Sequence, residues 1–229
     1  MRLLAVGDIH GHAQALHALL IQVAPRNDDM LIFMGDYVDK GPDVKGVIDS
    51  LLALSKTHNA IFLRGNHDQM LIDAYRDPAK RGVWECLSGK DPLSSYGLGS
   101  QTEQIQRIPE EHWAFLENTC RDYFETTEFI FVHGGLRPEK SPAEETPDRL
   151  QWTTLSLAVP HDSGKTVICG HSAQPSGRIV DLGHTICIDT GITGGGFITC
   201  LALDNFEYWQ ADAGGLCRQG FLSRPHSGS

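Results

Sequence analysis

The chain has 229 residues, of which 41% are hydrophobic and 21% charged, enough length and apolar material for one sizeable core and too much for wholesale disorder. A formal net charge of −10 excludes the basic footprint by which proteins grip nucleic-acid phosphates. No apolar run approaches the ~20 residues of a membrane span, and the N-terminus turns into a strand too early for a signal h-region, so the cytoplasm is the expected compartment.

In chain order, residues 2–6 (RLLAV) form a short apolar run ending at GDIHG, and AQALHALLIQVA then carries the i, i+3, i+4 spacing of a helix. The same strand, loop and helix recur at MLIFMGDYVDKGPD with VKGVIDSLLALSKTH, and again at AIFLRGNHD with QMLIDAYRD. Three such units predict an α/β fold with a largely parallel sheet, whose ligands gather at the carboxyl ends of the strands. Residues 78–100 are rich in Gly, Ser, Pro and Asp and read as an irregular insertion near the site. Residues 109–118 read as a helix with Pro109 in its first position. After FIFVHGG, the runs TVICGHS, RIVDL, HTICIDTG, FITCLALD and FEYWQA predict an antiparallel meander, and periodicity fades from Gly214. The expected organisation is one domain over 1–213 with a flexible tail over 214–229.

The polar motifs sit where the strands end. Three loops supply Asp8 and His10, Asp36, and Asn66 with His67, and two later strand ends supply His133 and His171. These are oxygen and imidazole donors without a thiolate, a set suited to Mn, Fe or Zn rather than Ca. Two cations a few Å apart require one shared carboxylate and further ligands on each flank. Glycines around the motifs, among them Gly7, Gly35, Gly65 and Gly170, permit tight turns and close approach to a small site.

GDIHG, GDYVDKGPD, RGNHD, VHGG and GHS, in this order, resemble the calcineurin-like metallophosphoesterases over about residues 1–205. Within that superfamily DYVD and RGNHD most resemble the protein Ser/Thr phosphatases and their small bacterial and phage relatives. The symmetrical dinucleoside tetraphosphatases typically carry Gln where this chain has His10. The resemblance implies a four-layer α/β/β/α sandwich and two divalent metal ions, with Mn expected first and Fe or Zn as alternatives. It implies that Asp8 and His10 bind one metal, Asp36 bridges, and Asn66, His133 and His171 bind the other. His67 would protonate the leaving alkoxide, with Asp39 holding the imidazole in its charged form. The implied reaction is in-line hydrolysis of phosphomonoesters by metal-generated hydroxide, without a phosphoenzyme, so Ser172 reads as a loop residue. The implied partner is a phosphorylated protein or small phosphoester. The alternatives are a dinucleoside polyphosphate or other small phosphoanhydride hydrolase and, further off, a metal-binding regulator of weak catalysis.

The phosphate clamp departs from the family. Lys40 stands where the phosphatases normally carry Arg, keeping charge but losing bidentate geometry. A second Arg is expected after the Trp of a WxR-like motif, where this chain has Trp152, Thr153 and Thr154. Arg137 and Arg149 are nearby candidates to replace it, and Asn66, Lys40 and Arg64 are the expected substrate contacts, Arg64 with the alternative of pairing a carboxylate behind the site.

Several residues read more plainly. His12, His17, His58, His112, His161, His184 and His226 lie outside the motifs, although His184 heads a strand that could reach the cluster. Asp189 reads as a turn stabiliser and Asp68 as a cap for the helix after RGNH. Trp84, Tyr96 and Trp113 read as core or lid packing rather than groove lining. Gly194, Gly195 and Gly196 match no nucleotide-binding pattern. The six cysteines lack CxxC spacing and read as reduced and mostly buried.

Overall fold

The computed structural model describes residues 1–88, 93–99 and 102–223. Three units open the chain: β1 (Leu3–Val6) with α1 (Ala13–Val23), β2 (Met30–Phe33) with α2 (Val44–Ser55), and β3 (Asn59–Phe62) with α3 (Asn66–Arg76). β1, β2 and β3 pair in parallel, Ala5 opposite Ile32 and Ile32 opposite Ile61. Each helix buries one stripe: Leu16, Leu19 and Val23 on α1, Val47, Ile48 and Leu51 on α2. α2 starts at Asp43, whose carboxylate accepts from the Gly46 N–H at 2.8 Å, a cap worth about 1 kcal/mol.

Between these units and the next strands lie α4 (Arg81–Leu87) and α5 (Glu110–Ala114). The expected irregular insertion is thus partly helical: α4 turns Trp84 into the core while Val83 and Leu87 stay exposed. Residues 89–92 and 100 of that insertion lie outside the described residues. Pro109 caps α5 from outside rather than opening it, and a π-helical turn, Phe115–Thr119, follows.

Next come β4 (Tyr123–Glu125), β5 (Phe129–Val132), α6 (Pro147–Trp152), β6 (Thr166–Cys169), β7 (Val180–Asp181) and β8 (Thr185–Cys187). The chain closes with β9 (Ile198–Ala202), β10 (Glu207–Ala211) and β11 (Cys217–Phe221). The expected single meander is divided. β9, β10 and β11 extend the first sheet antiparallel in the order β11-β10-β9-β1-β2-β3, whereas β6 and β8 run parallel in a second sheet ordered β4-β5-β6-β8-β7. β8 and β9 both read as continuous buried runs, so apolarity alone does not tell which sheet each joins. β11 corrects the expected tail from 214, since its register with β10 places Trp209 opposite Gln219. Its residues are half-buried or exposed, so ladder bonds rather than an apolar face hold it; residues 224–229 lie outside the described residues.

Side-chain alternation makes the layers. Leu4, Val6, Leu31 and Phe33 face the helices, while Ala5 and Ile32 face Phe129, Phe131, Ile168 and Ile186 of the second sheet. On that sheet's outer side Ile130, Val132 and Val167 pack on Leu150 of α6. Two mixed sheets flanked by helices result, the expected α/β/β/α sandwich. Among the described residues no helix is long and apolar enough to cross a membrane. All six cysteines are free, four of them buried.

Candidate metal centre

The loops after β1, β2, β3, β5 and β6 converge at one rim between the sheets. Asp8, His10, Asp36, Asn66 and His133 are all at least 95% buried, and His171 is partly so. Their backbones are forced together: His10, Asp36, Asp39, Lys40 and His171 all have φ between 46° and 68°, left-handed for residues with a Cβ. Non-glycine residues pay for that conformation only where the surroundings impose it, and such outliers cluster at functional sites. A Cβ at Gly65 would collide with the Asp36 carboxylate, and one at Gly170 with that of Asp8.

Asp36 is the common point. Donor atoms of His10, Asp36 and His67 lie within 4.8 Å of one another, and so do those of Asp8, Asp36 and His133. His10 Nε2 is 3.3 Å from one Asp36 oxygen and His133 Nε2 3.4 Å from the other. Backbone carbonyls hold the far side of both rings, His10 Nδ1 lying 3.0 Å from Val38 O and His133 Nδ1 2.8 Å from Met34 O. A proton on Nδ1 would satisfy those carbonyls and leave Nε2 available to a metal ion. Asn66 Oδ1 lies 3.0 Å from both His133 Nε2 and His171 Nδ1. The His171 N–H donates to Asp8 at 3.1 Å.

The electrostatics favour a guest cation. Burial drives the imidazole of His10 down to about 3 and that of His171 to about 4, the neutral state a ligand requires. Burial opposes charge on His133 as well, but the neighbouring Asp36 and Asp8 outweigh it and raise that ring to about 10. Asp8, desolvated beside Asp189 and Asp36, is pushed well above the usual carboxylate range. Oxygen and nitrogen donors aimed at a shared carboxylate therefore fit a pair of divalent ions.

Beside this cluster His67 stands edge-on to His10, ring centroids 4.9 Å apart. Its Nδ1 is 2.9 Å from Asp39 Oδ2, and its backbone N–H donates to Asp36 at 3.0 Å. Asp39 is 1% exposed, and burial raises its pKa against the opposing pull of His67 and Trp84. Lys40, exposed at the rim, contributes positive charge felt at both His10 and His171.

Other residues have different tasks. Arg64 is not among the groups facing the site: its guanidinium donates to the carbonyls of Leu116, Glu117 and Cys120 at 3.0–3.2 Å and lies 3.6 Å from Asp122. It ties the loop between β3 and α3 to the π-helical turn and its end, which corrects its expected place on the substrate. Arg137 is taken by Glu145 at 2.7 Å, Arg149 is exposed, and Thr154 lines a hollow beside Gly134 and Leu155. Trp152, 45% exposed, stands edge-on to His171 at 5.9 Å. Ser172 Oγ accepts from the Leu155 N–H, a loop brace. Asp189 accepts from Gly191 N–H, as expected of a turn, and its charge is also felt at Asp8. His184 lies at the start of β8, the end away from the ligand loops. His112 is fully buried between Tyr96 and Asp49, and His226 lies outside the described residues.

Two contributions were not legible in the sequence. Asp68 does cap its helix, accepting from Gly65 N–H, but it also accepts from the N–H groups of Asp36 and Tyr37 at 2.9 Å and so shapes the loop of the shared carboxylate. Trp84 Nε1 donates to Asp39 Oδ1 at 3.0 Å across 45 positions of sequence, a distance at which no motif spacing operates.

The family model described as calcineurin-like phosphoesterase matches residues 1–193. The chain belongs to that family. Among its curated relatives, serine/threonine-protein phosphatase 1 of Salmonella typhimurium is 38% identical over 206 residues, covering 85% of this chain and 88% of that protein. The asymmetrical bis(5'-nucleosyl)-tetraphosphatase PrpE of Halalkalibacterium halodurans is 24% identical over 230 residues, covering 89% and 90%. The fold is also that of a cold-active protein tyrosine phosphatase structure, with TM-score 0.64, 17% identity and coverage of 95% and 78%. Family membership makes the chain a phosphoester hydrolase of the metallophosphoesterase type, while its relatives are named for different substrates.

Proposed function

We propose that this chain is a binuclear phosphomonoesterase of the protein Ser/Thr phosphatase kind, acting in the cytoplasm, with manganese as its ions. The observation that carries the reading is the His67 and Asp39 pair, 2.9 Å apart, with a His67 ring nitrogen within 4.8 Å of the donors of His10 and Asp36, and Asp36 shared in turn with Asp8 and His133. Asp8, His10, Asp36, Asn66, His133 and His171 would hold the two cations, which supply charge neutralisation and a deprotonated water at neutral pH.

The protein's own groups complete the reaction. Asp39 fixes Nδ1 of His67 and leaves Nε2 free for the substrate. As the new P–O bond forms, the bond to the leaving oxygen breaks and its electron pair stays on that oxygen, which takes the proton from His67 Nε2. His67 then recovers a proton from water, and phosphate and alcohol depart. Lys40 supplies a point charge at the rim, without the two-pronged hold of an arginine.

The same site supports a second reading, hydrolysis of a dinucleoside polyphosphate. It is favoured by the full-length likeness to asymmetrical tetraphosphatases and by Thr154 in place of a second clamp cation. A phosphoserine peptide and diadenosine tetraphosphate offered to the Mn-loaded protein separate the two. The proposal expects kcat/KM for the peptide to exceed that for the dinucleotide, and the reverse order would overturn it. The His67→Ala variant checks that either activity belongs to this site.

A further inference from the structure

Trp84 is 1% exposed and lies on α4, whose neighbouring residues Gly82, Val83, Glu85 and Cys86 are exposed. Its indole N–H reaches Asp39 Oδ1 at 3.0 Å, while the other oxygen, Oδ2, meets His67 Nδ1. The end of the same helix takes hold of the same loop a second time, Ser88 O accepting from the Lys40 N–H at 2.7 Å. Both residues so held, Asp39 and Lys40, have left-handed backbones, φ 68° and 61°. The fold does not satisfy every buried indole as a matter of course, since Trp113 Nε1 is buried without a hydrogen-bond partner among the described residues.

We propose that Trp84 is a positioning residue for proton delivery, acting through Asp39 by fixing the plane of its carboxylate so that one oxygen always faces His67. A buried carboxylate bonded only to His67 is free to turn about its Cβ–Cγ bond, and the imidazole then loses the orientation that aims its Nε2 at the leaving oxygen. The proposal rests on the reading of His67 as the acid. The hydrogen bond of Trp84 goes to Asp39 and not to a residue assigned to a metal, so its loss acts on leaving-group protonation rather than on binding.

Leaving-group dependence isolates that step. p-Nitrophenolate departs with little need of a proton, whereas phenolate departs poorly without one. Trp84→Phe keeps the aromatic bulk and removes the donor. In the Mn-loaded protein it should lower kcat on phenyl phosphate roughly tenfold, a fraction of the 10²–10⁴ that a general acid contributes, and leave p-nitrophenyl phosphate within about twofold. KM should hold for both esters. In an Asp39→Ala background the substitution should cost nothing further, because the group through which it acts is gone. Equal losses on the two esters, losses that add to those of Asp39→Ala, or no loss at all would each overturn the proposal. If Trp84→Phe fails to fold, benzothienylalanine at position 84 keeps the fused ring, removes only the N–H and gives the same readout. His67→Ala and Asp39→Ala tell the two failures apart. Leaving-group dependence in both but not in the Trp84 variant refutes Trp84 alone, and its absence from His67→Ala refutes the acid assignment and Trp84's role with it.

Discussion

The two ends of β2 carry two buried carboxylates of opposite character. Asp29, just before the strand, is 0% exposed, and Asp36, shortly after it, is 2% exposed. Asp29 accepts five hydrogen bonds of 2.6–3.2 Å from Arg2 and Arg26. Burial works against its charge, yet those donors hold it well below the usual carboxylate range. Asp36 has no cationic side chain of Lys or Arg on it among the described residues; its oxygens face His10, His133 and the His67 N–H at 3.0–3.4 Å. One end of the strand is chemically closed and the other gathers nitrogens and oxygens that could hold a metal ion. The closed end serves stability, and the open end lies where α/β sheets bind ligands, at the strand carboxyl termini.

Substitutions at the open end should stop the chemistry and those at the closed end should loosen the fold. Asp36→Asn has the largest expected effect: with the shared charge gone, affinity for Mn should fall by more than the ~10–100-fold typical of outer-shell partners, with turnover following, as titration calorimetry can measure. His67→Ala should retain its metals and lose on the order of 10²–10⁴ in kcat on esters with poor leaving groups. Metal content near that of the unsubstituted protein separates it from Asp36→Asn.

Asp29→Asn should reverse this pattern. It breaks a buried pair with Arg2 and should lower unfolding stability by roughly 3 kcal/mol in denaturant melts while Mn-dependent kcat stays within about twofold. The pH dependence has a definite sign. The folded pKa of Asp29 is depressed, so its contribution is complete above the unfolded carboxylate value near ~4 and is lost as pH falls below it. The asparagine variant should therefore lose less stability than the parent between about pH 4 and 2.

Smaller effects probe the rim. Lys40→Arg together with Thr154→Arg should lower KM for p-nitrophenyl phosphate several-fold by restoring a forked hold, about 1 kcal/mol of added binding; an unchanged KM refutes the idea of a weakened clamp. Arg64→Gln should leave KM alone and lower the melting midpoint by a few degrees, since it loses carbonyl contacts and no substrate contact.

What the sequence made legible followed from local rules. Asp8, His10, Asp36, Asn66, His133 and His171 stand out as candidate ligands because each closes a short apolar run, and a strand's end is where parallel sheets put their chemistry. The β-loop-α order of the first half follows from periodicity alone. Contacts that depend on how distant elements meet stayed hidden. Arg64 sits inside a motif, two residues before Asn66, yet it points at the carbonyls after α5, a direction no spacing encodes. Asp68 reads as a cap and also holds a loop over 30 residues away. β11 lacks an apolar face and is recruited by the open edge of β10, so its sequence resembles a tail.

The central claim is that Asp36 joins two metal ions into one centre, and manganese content read together with electron paramagnetic resonance tests it most directly. The account predicts about two Mn ions per chain with the spectrum of a coupled pair, reduced in Asp36→Asn to at most one uncoupled ion and unaffected by Asp29→Asn. Full phosphatase activity with one ion or none bound, or a coupled pair persisting in Asp36→Asn, would contradict it.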